Sequence, residues 1–367
     1  MSVLNPPAVI GIIGGGQLGQ MLALSAIAQG YWIAVLDPDP NCPCAKLAHH
    51  FIQAQYKDEE ALKQLNVMAD VITYEFENVD VEATKKIIDL NKLPQGYKAL
   101  MISQDRLLEK QFALNSGIPC VPFEHFNSKE EFDALILDRP CVIKTRRYGY
   151  DGKGQYWLYT QADKANCHLH FPHPYVAEDI CLFDKEISVA VCSFNDGIVA
   201  YEPFENVHVS GILRSSLYPA RIEQSIAEKA MQYAMQLVKA LDYRGILVVE
   251  FFVLNEDVYF NEFAPRPHNS AHGTIEACDF SQFDLHIRAI TNHQKLEPKR
   301  IQNNLMLNIL GEHYDHALKL WNSSPEPLHL HLYGKTEIRA QRKMGHLSFN
   351  ADAMESCISL LNQWRTR

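Results

Sequence analysis

The chain has 367 residues, of which 47% are hydrophobic and 21% are charged, a composition that predicts two to three globular domains with real cores. Its formal net charge of −10 argues against broad attraction to nucleic acid or to an anionic membrane. Any anionic ligand therefore has to meet a local basic patch.

The N-terminal residues carry neither the basic region nor the long apolar core of a secretory signal. No stretch approaches the roughly 18 apolar residues of a membrane-spanning helix. Nine cysteines without CxxC spacing are typical of reduced thiols rather than of a disulfide framework. We therefore expect a cytoplasmic protein that binds neither membrane nor nucleic acid.

The first hundred or so residues alternate between strand-like and helix-like segments, which predicts a parallel α/β domain. The predicted strands cover residues 8–13, 31–36, 50–54 and 71–76, and the predicted helices cover 17–28, 58–65 and 81–90.

The turn after the first strand, Gly14-Gly15-Gly16-Gln17-Leu18-Gly19, satisfies the GxGxxG pattern, with Asp37 after the next strand as a possible ribose ligand. The pattern alone is a weak signal, because such glycines secure a tight turn whose backbone N–H groups can face any phosphate. We rank a non-dinucleotide phosphate site above NAD and keep a purely structural turn as a third possibility.

A helix from about Asp105 to Asn115 leads into an α+β segment in which we expect antiparallel pairing. Its strands are predicted to end at Lys144 and to lie near residues 155–159, 175–180, 186–193 and 198–203. A long helix is predicted over 225–241, with Ser225 and Glu228 as its capping box.

The strand that ends at Lys144 runs into a loop with three glycines and four cations, Lys144-Thr145-Arg146-Arg147-Tyr148-Gly149-Tyr150-Asp151-Gly152-Lys153-Gly154-Gln155. Such a loop can close over a polyphosphate, because glycines let the backbone approach phosphates while Lys144 and Lys153 supply charge. It is not a Walker A sequence, and a solvated basic hairpin is an equally weighted alternative.

Two apolar strands, residues 245–254 and 258–263, are predicted to form a hairpin. With a three-residue loop, Leu254 opposes Val258 and Glu250 opposes Glu262, which places two carboxylates within about 5 Å of each other. Such a pair requires a proton on one carboxylate or a cation between them, and all-oxygen ligands suit Mg²⁺ bridging phosphates. A solvent-facing glutamate pair is the less favoured alternative.

The next segment, Ala264-Pro265-Arg266-Pro267-His268-Asn269-Ser270-Ala271-His272, is rich in hydrogen-bonding groups and is expected to line a site. Here Asn269 can complete the cation shell, Arg266 can hold an anion and His268 can orient a substrate. Near the C-terminus, a phosphate-bearing substrate or simply a solvated face would explain a basic cluster of Lys335, Arg339, Arg342, Lys343 and His346.

In order and spacing, five motifs resemble those of the ATP-grasp superfamily and, within it, of the N5-carboxyaminoimidazole ribonucleotide synthetase family. They are residues 12–19, Thr73-Tyr74-Glu75-Phe76-Glu77, residues 146–155, residues 261–270 and Arg342-Lys343-Met344-Gly345-His346. The chain departs from the family at Gln20, commonly Arg, and at Ala340-Gln341, commonly Pro-Gly.

The resemblance implies a fold of mixed α/β and α+β class, assembled as a homodimer. It comprises an N-terminal parallel α/β pre-ATP-grasp domain at 1–105, a central two-lobed ATP-grasp domain at 106–296 and a small C-terminal domain at 297–367.

The resemblance also implies the site residues. Those expected to contact ATP are Arg106, Lys144, Gly149, Tyr150, Asp151, Gly152, Lys153, Gly154, Gln155, Glu178, Asp179, Ile180, Cys181, Glu186, His208, Asn261 and Glu262. Mg²⁺ is expected on Glu250, Glu262 and Asn269. The groups expected around bicarbonate and the aminoimidazole are Glu75, Tyr150, Asp151, Arg266, His268, Asn269 and Ser270, with Gln17, Leu18, Lys335 and Arg342 toward the ribose phosphate.

The implied reaction joins bicarbonate to 5-aminoimidazole ribonucleotide at the expense of ATP, through carboxyphosphate, in purine (IMP) biosynthesis. Asp151 is the expected proton acceptor. Three alternatives stay open: a biotin carboxylase-like or formate-using ATP-grasp ligase, an NAD-dependent oxidoreductase and a non-catalytic nucleotide sensor.

Overall fold

The computed structural model describes residues 2–149, 154–171 and 173–365. Its first sheet has four parallel strands in the order β3-β2-β1-β4, so the predicted parallel α/β arrangement is confirmed. The strands are β1 (Val9–Ile13), β2 (Trp32–Asp37), β3 (His50–Gln53) and β4 (Val71–Tyr74). The helices of this region are α1 (Gln17–Ala28), α2 (Glu59–Met68), α3 (Val81–Ile87) and α4 (Lys98–Ser103).

Both faces of this sheet are covered, which explains why its strands are apolar without alternation. Successive residues of β1 point to opposite faces, so Ile12 packs with Leu18 of α1 while Ile13 packs with Leu62 of α2. The two cores hold the carboxyl ends of β1, β2 and β4 together at one edge of the sheet.

Helix α5 (Arg106–Asn115) leads to a second, antiparallel sheet in the order β5-β8-β6-β7. Asp105 caps α5, because its carboxylate accepts from Leu107 N at 3.1 Å. The elements here are β5 (Phe123–Phe126), α6 (Lys129–Ala134), β6 (Cys141–Thr145), β7 (Gln155–Leu158), α7 (Gln161–Ala165) and β8 (Tyr175–Asp179).

The largest sheet has the order β14-β13-β9-β11-β12-β15-β17-β16, with β10 paired to β9, and all of these pairs are antiparallel as expected. Its strands are β9 (Lys185–Phe194), β10 (Gly197–Ala200), β11 (Phe204–Val209), β12 (Ile212–Tyr218), β13 (Gly245–Leu254), β14 (Asp257–Ala264), β15 (Asn303–Leu310), β16 (Leu328–Leu332) and β17 (Lys343–Ala351). The helices are α8 (Gln224–Leu241), α9 (Thr274–Ala277), α10 (Gln282–Ile290), α11 (Tyr314–Ser323) and α12 (Met354–Arg365).

The C-terminal strands continue this sheet instead of forming a separate one. Strand β15 pairs with β12, with Ser215 opposite Leu307, and thereby joins the C-terminal segment to the central one. The three domain boundaries derived from the resemblance stay a prediction.

The capping box predicted for the long helix is wrong. Helix α8 begins at Gln224, and its N-cap, Glu223, makes no side-chain cap hydrogen bond. The Glu223 carbonyl already accepts from Ile226 N at 3.0 Å, so Ser225 lies inside the first turn, where its hydroxyl cannot cap. One face of α8 packs into the core, where Ile226, Ala230 and Leu237 are buried.

All nine cysteines are free, as the sequence predicts. Among the helices that the structure describes, none combines the length and apolarity that a bilayer crossing requires.

Candidate active site

The β13–β14 hairpin places Glu250 directly opposite Glu262, which confirms the predicted register at this pair. The predicted loop is wrong, because Leu254 opposes Asp257 across a two-residue turn in which Asn255 has a φ of +55°. A β-bulge at Asn261 inserts one extra residue between the turn and Glu262 and so restores the pairing.

The two opposed carboxylates differ in their surroundings. Burial and the neighbouring charge of Glu262 raise the pKa of Glu250, although the charge of His208 opposes this shift. Burial also acts on Glu262, but Arg106, whose Nη1 lies 3.0 Å from Oε2, and Lys144 outweigh it and lower its pKa. Glu262 is therefore ionised more readily than an ordinary glutamate, and Glu250 less readily. A divalent cation between them would stabilise the charged form of both carboxylates.

Glu178, at the end of β8, binds two lysines with a single oxygen. Its Oε2 lies 2.9 Å from Lys144 Nζ on β6 and 3.0 Å from Lys110 Nζ on α5. Burial opposes ionisation of Glu178, but the two lysines outweigh burial and lower its pKa to about 2. Burial lowers the pKa of Lys144, although the charge of Glu178 opposes this shift, and the ion pair with Glu178 holds the Lys144 side chain at the cleft wall.

His208 forms an ion pair at the opposite wall, with Nδ1 2.8 Å from Glu186 Oε2. Burial alone would lower the pKa of His208, but the hydrogen bond to Glu186 and the charges of Glu250 and Glu262 raise it to about 8. The imidazole therefore carries a positive charge near neutral pH.

This raised pKa predicts how stability depends on pH. Because the folded-state pKa of His208 lies above the unfolded value of about 6.5, its contribution is complete below pH 6.5 and is lost as pH rises through 8. We expect His208 to contribute about 2 kcal/mol to the loss in the free energy of unfolding, measured by urea titration of nucleotide-free protein from pH 6 to pH 9. His208→Gln should make this dependence shallower by that amount and leave the part due to Glu250, whereas the exposed His329→Gln should not change it; equal slopes in all three proteins would refute the assignment.

A cleft of about 480 Å³ lies between the small antiparallel sheet and the large one, a volume typical of small-molecule sites. It brings together most of the residues that the resemblance implies for ATP, together with Arg266 and His268. The predicted residues that line it are Arg106, Lys144, Gly149, Gln155, Glu178, Asp179, Ile180, Cys181, Glu186, His208, Glu250, Asn261, Glu262, Arg266 and His268. Tyr150, Asp151, Gly152 and Lys153 lie outside the described residues. Gly154 lies at the base of the loop, with φ +72° and its carbonyl accepting from Thr145 N at 3.0 Å.

Arg266 is fixed by a short ion pair, with Nε 2.6 Å from Glu77 Oε2. The pKa of Glu77 is lowered, because Arg266 outweighs the effect of burial. The guanidinium is thus held rigidly at the cleft wall, which suits recognition of a small planar anion.

His268 is oriented by a chain of buried hydrogen bonds. Ser270 N and Ser270 Oγ lie 3.3 and 2.9 Å from its Nδ1, and Ser270 Oγ accepts from Ser188 Oγ at 2.8 Å. Because a backbone N–H can only donate, Nδ1 is the acceptor and the proton of the neutral ring sits on Nε2. Burial and Arg266 hold the pKa of His268 well below its usual range, so the ring is a neutral donor. Ser270, predicted to contact substrate, is fully buried and acts through His268.

Asn269 is the third predicted magnesium ligand. It is 7% exposed, and among the described residues neither its amide oxygen nor its amide nitrogen has a hydrogen-bond partner. This orphaned buried amide directly follows His268, whose Nδ1 lies 3.6 Å from Glu250 Oε1, and its oxygen is of the kind that Mg²⁺ prefers. Glu250, Glu262 and Asn269 are therefore the residues suited to hold the ion.

The glycine-rich turn binds carboxylates of the protein itself. Gly15 N donates to Asp37 Oδ2 at 2.7 Å, while Gly16 N and Gly19 N donate to the two oxygens of Glu75 at 2.6 and 2.8 Å. A Cβ at Gly16 would lie 2.3 Å from Glu75 Oε1, so the absence of a side chain there admits the carboxylate. Because these N–H groups and Asp37 are already paired within the protein, the geometry favours the structural turn over both a phosphate site and a dinucleotide site at these three glycines.

The residues predicted for the ribose phosphate lie at the start of α1 and nearby. Lys335 Nζ donates to Gln17 Oε1 at 2.8 Å, and burial followed by the charge of Arg342 lowers its pKa to about 8. The Leu18 side chain is in the core, so only its backbone N–H, in the first turn of α1, can meet a phosphate. Arg342 N donates to Arg339 O at 2.9 Å, so a turn forms without the Pro-Gly sequence common in the family.

The basic cluster proposed near the C-terminus is partly wrong. His346 is fully buried and stacks on His331 with ring centroids 4.4 Å apart, because both faces of β17 are covered from Met344 to Phe349. Burial and His272 hold the pKa of His346 well below its usual range. Arg339 is exposed and paired with Glu337, whereas Lys343 lines the cleft.

Sequence reasoning missed two residues on α5, of which Glu109 lines the cleft and Lys110 lies behind its wall. Lys110 binds Glu178, and Glu109 Oε1 accepts from Phe263 N at 2.8 Å beside the carboxylate pair. Burial raises the pKa of Glu109 well above its usual value, and Glu262 adds to the shift. The spacing could have found both, because positions three and four after Arg106 share its helix face.

Three family models match consecutive parts of the chain: a ribonucleotide synthetase preATP-grasp domain at residues 8–104, an ATP-grasp domain at 111–283 and a phosphoribosylaminoimidazole carboxylase C-terminal domain at 304–359. The fold and its site thus define a three-part ATP-grasp protein, and the predicted fold class is confirmed.

Individual relatives agree over nearly the whole length. The N5-carboxyaminoimidazole ribonucleotide synthase of Staphylococcus aureus (strain MRSA252) is 44% identical over 93% of this chain and 92% of its own. A crystal structure of the N5-carboxyaminoimidazole synthetase from Staphylococcus aureus complexed with ADP superposes with a TM-score of 0.92 at 40% identity, covering 99% and 98% of the two chains. The Aspergillus clavatus N5-carboxyaminoimidazole synthase in complex with ADP and 5-aminoimidazole ribonucleotide gives 0.88 at 30% identity, covering 96% of each. The chain belongs to the N5-carboxyaminoimidazole ribonucleotide synthetase family.

Proposed function

We propose that this protein is an ATP-dependent carbon–nitrogen ligase that carboxylates 5-aminoimidazole ribonucleotide with bicarbonate in purine biosynthesis, the reaction for which its relatives are named. The observation that carries the proposal is the Glu250–Glu262 pair, opposed at the floor of a cleft whose wall carries Lys144 and Arg266. Two acidic oxygens facing a lysine and an arginine suit a magnesium triphosphate and a small anion side by side.

Phosphoryl transfer is largely a matter of positioning and charge neutralisation, and each of these tasks has a residue here. Lys144 neutralises charge on the phosphates, while the rigid Arg266 guanidinium orients bicarbonate for attack on the γ-phosphorus. His268, a neutral Nε2–H donor, hydrogen-bonds the resulting acyl phosphate. Glu250, Glu262 and Asn269 would hold Mg²⁺, which would supply electrostatic stabilisation of the transferring phosphoryl group.

Attack by bicarbonate displaces ADP, and the carboxyphosphate then breaks down to CO₂ and inorganic phosphate within the cleft. The acceptor amine attacks the CO₂ carbon, with Asp151 as the proposed proton acceptor. The predicted ribose-phosphate site, Lys335 with Gln17 and the first turn of α1, lies at the carboxyl edge of the parallel sheet, where open α/β sheets bind ligands. We further propose that the protein is a cytoplasmic homodimer, as the family resemblance implies.

The decisive test is ADP release measured with all substrates and with each one omitted. We expect release that depends on both bicarbonate and 5-aminoimidazole ribonucleotide. Formate in place of bicarbonate, acetyl group donors and NADH are the controls, and none should support turnover. Release that formate supports, or that ignores the aminoimidazole, would exclude this function.

A further inference from the structure

Lys110 has no place in the catalytic assignments above, yet it is among the most deeply buried charged residues of the chain. Its side chain is 1% exposed, and its ammonium binds the same Glu178 oxygen that Lys144 binds, at 3.0 Å against 2.9 Å. Two lysines therefore share one carboxylate oxygen. Together they carry one positive charge more than is needed to neutralise Glu178.

The two lysines face different surroundings. Lys144 lines the cleft and its side chain is 10% exposed, whereas Lys110 lies behind Glu178 and also approaches the carbonyl of Asn261 at 3.4 Å. Lys144 can therefore turn toward a ligand, and Lys110 cannot. Whatever enters the cleft, Lys110 remains with Glu178.

We propose that Lys110 is a positioning residue that releases Lys144 for the nucleotide. When a polyphosphate enters and Lys144 moves to it, Glu178 loses one of its two cations. A carboxylate that is 2% exposed cannot be left without a partner except at high cost, so without Lys110 the same move would leave a bare buried charge. With Lys110 present, Glu178 stays neutralised before and after binding. This inference rests on the proposed function, in which Lys144 contacts ATP.

Lys110→Met tests the proposal, with binding of a non-hydrolysable ATP analogue and Mg²⁺ measured by calorimetry. We expect roughly 100-fold weaker binding. In this variant Lys144 is the one lysine left to neutralise Glu178, so moving Lys144 to the nucleotide would leave a buried carboxylate unpaired. The KM for ATP should rise while the KM for bicarbonate stays within about twofold. Lys92→Met is the matched control, since Lys92 also donates to backbone carbonyls, those of Asn66 and Ala69, but lies outside the cleft.

A double-mutant cycle separates this role from simple bracing. In a Glu178→Gln background there is no carboxylate that could lose its partner when Lys144 moves. Adding Lys110→Met should then change nucleotide affinity by less than about threefold. An equal loss in both backgrounds, or wild-type affinity of the single variant, would overturn the proposal. If Lys110→Met does not fold, Lys110→Gln replaces it in the same cycle, because the amide keeps a donor and removes the charge. Wild-type protein that binds no nucleotide would instead refute the proposed function.

Discussion

Glu250→Gln and Glu262→Gln should both abolish most activity while shifting stability in opposite directions. Each removes one oxygen anion from the predicted magnesium site, and we expect ADP release to fall roughly 10²- to 10³-fold, about 3–4 kcal/mol of transition-state stabilisation. Stability follows different logic, because the two carboxylates have opposite pKa shifts in the folded protein.

Glu250 has a folded-state pKa above its unfolded value, so without metal its ionisation costs stability as pH rises through the folded pKa. The neutral isostere removes that cost, and at pH 8 metal-free Glu250→Gln should unfold at a temperature higher than wild type by roughly 2 °C, or about 1 kcal/mol. The two should coincide only at a pH below the unfolded-state pKa of about 4.3, where the carboxyl is protonated in both states. Glu262→Gln leaves Arg106 without its anion and should lower the unfolding temperature.

Thermal unfolding with and without Mg²⁺ checks both directions in one experiment. Wild type should gain stability on adding Mg²⁺ with nucleotide, and neither variant should gain as much. Glu256→Gln, in the exposed turn of the same hairpin, is the control and should match wild type in activity and stability. Stabilisation of Glu262→Gln, or full activity of either variant, would contradict the assignment.

The β13–β14 hairpin shows which structural features could be predicted from the sequence and which could not. The apolar runs predicted both strands, and an assumed three-residue loop predicted that Glu250 faces Glu262. The length of the turn between the two strands was predicted wrongly. The left-handed Asn255 shortened the loop and the bulge at Asn261 restored the register, and neither event leaves a clear mark in the hydrophobic pattern.

Contacts between elements that are distant in the sequence were harder to predict from the sequence than the motifs were. Lys110 sits on a helix with an unremarkable polar sequence, and its importance arises only when α5 packs against β8 and β14. The resemblance to a family supplied the cleft residues but not the partners that hold them, such as Glu77 for Arg266 and Ser188 for Ser270. Those partners depend on tertiary packing that no local spacing encodes.

The glycine-rich turn gives the second large prediction, that Glu75→Gln destabilises the N-terminal sheet. Glu75 accepts from Gly16 N and Gly19 N with its two oxygens, and an amide has only one oxygen to offer. One backbone N–H would then face an NH₂ group in a partly buried turn. We expect a loss of about 2–3 kcal/mol in the free energy of unfolding, measured by urea titration. Glu60→Gln on the exposed face of α2 is the matched control and should cost less than about 0.5 kcal/mol.

The same variant separates the structural role of Glu75 from its predicted place beside the aminoimidazole. Because α1 begins at this turn, loss of the carboxylate displaces Gln17 and Leu18, and the KM for 5-aminoimidazole ribonucleotide should rise roughly 10- to 100-fold. The affinity for nucleotide should be unchanged, since the Glu75 side chain itself does not line the cleft. A variant with wild-type stability but lost turnover would assign Glu75 to chemistry alone. Loss of stability with an unaltered KM for the ribonucleotide would make it a structural carboxylate and remove it from the substrate site.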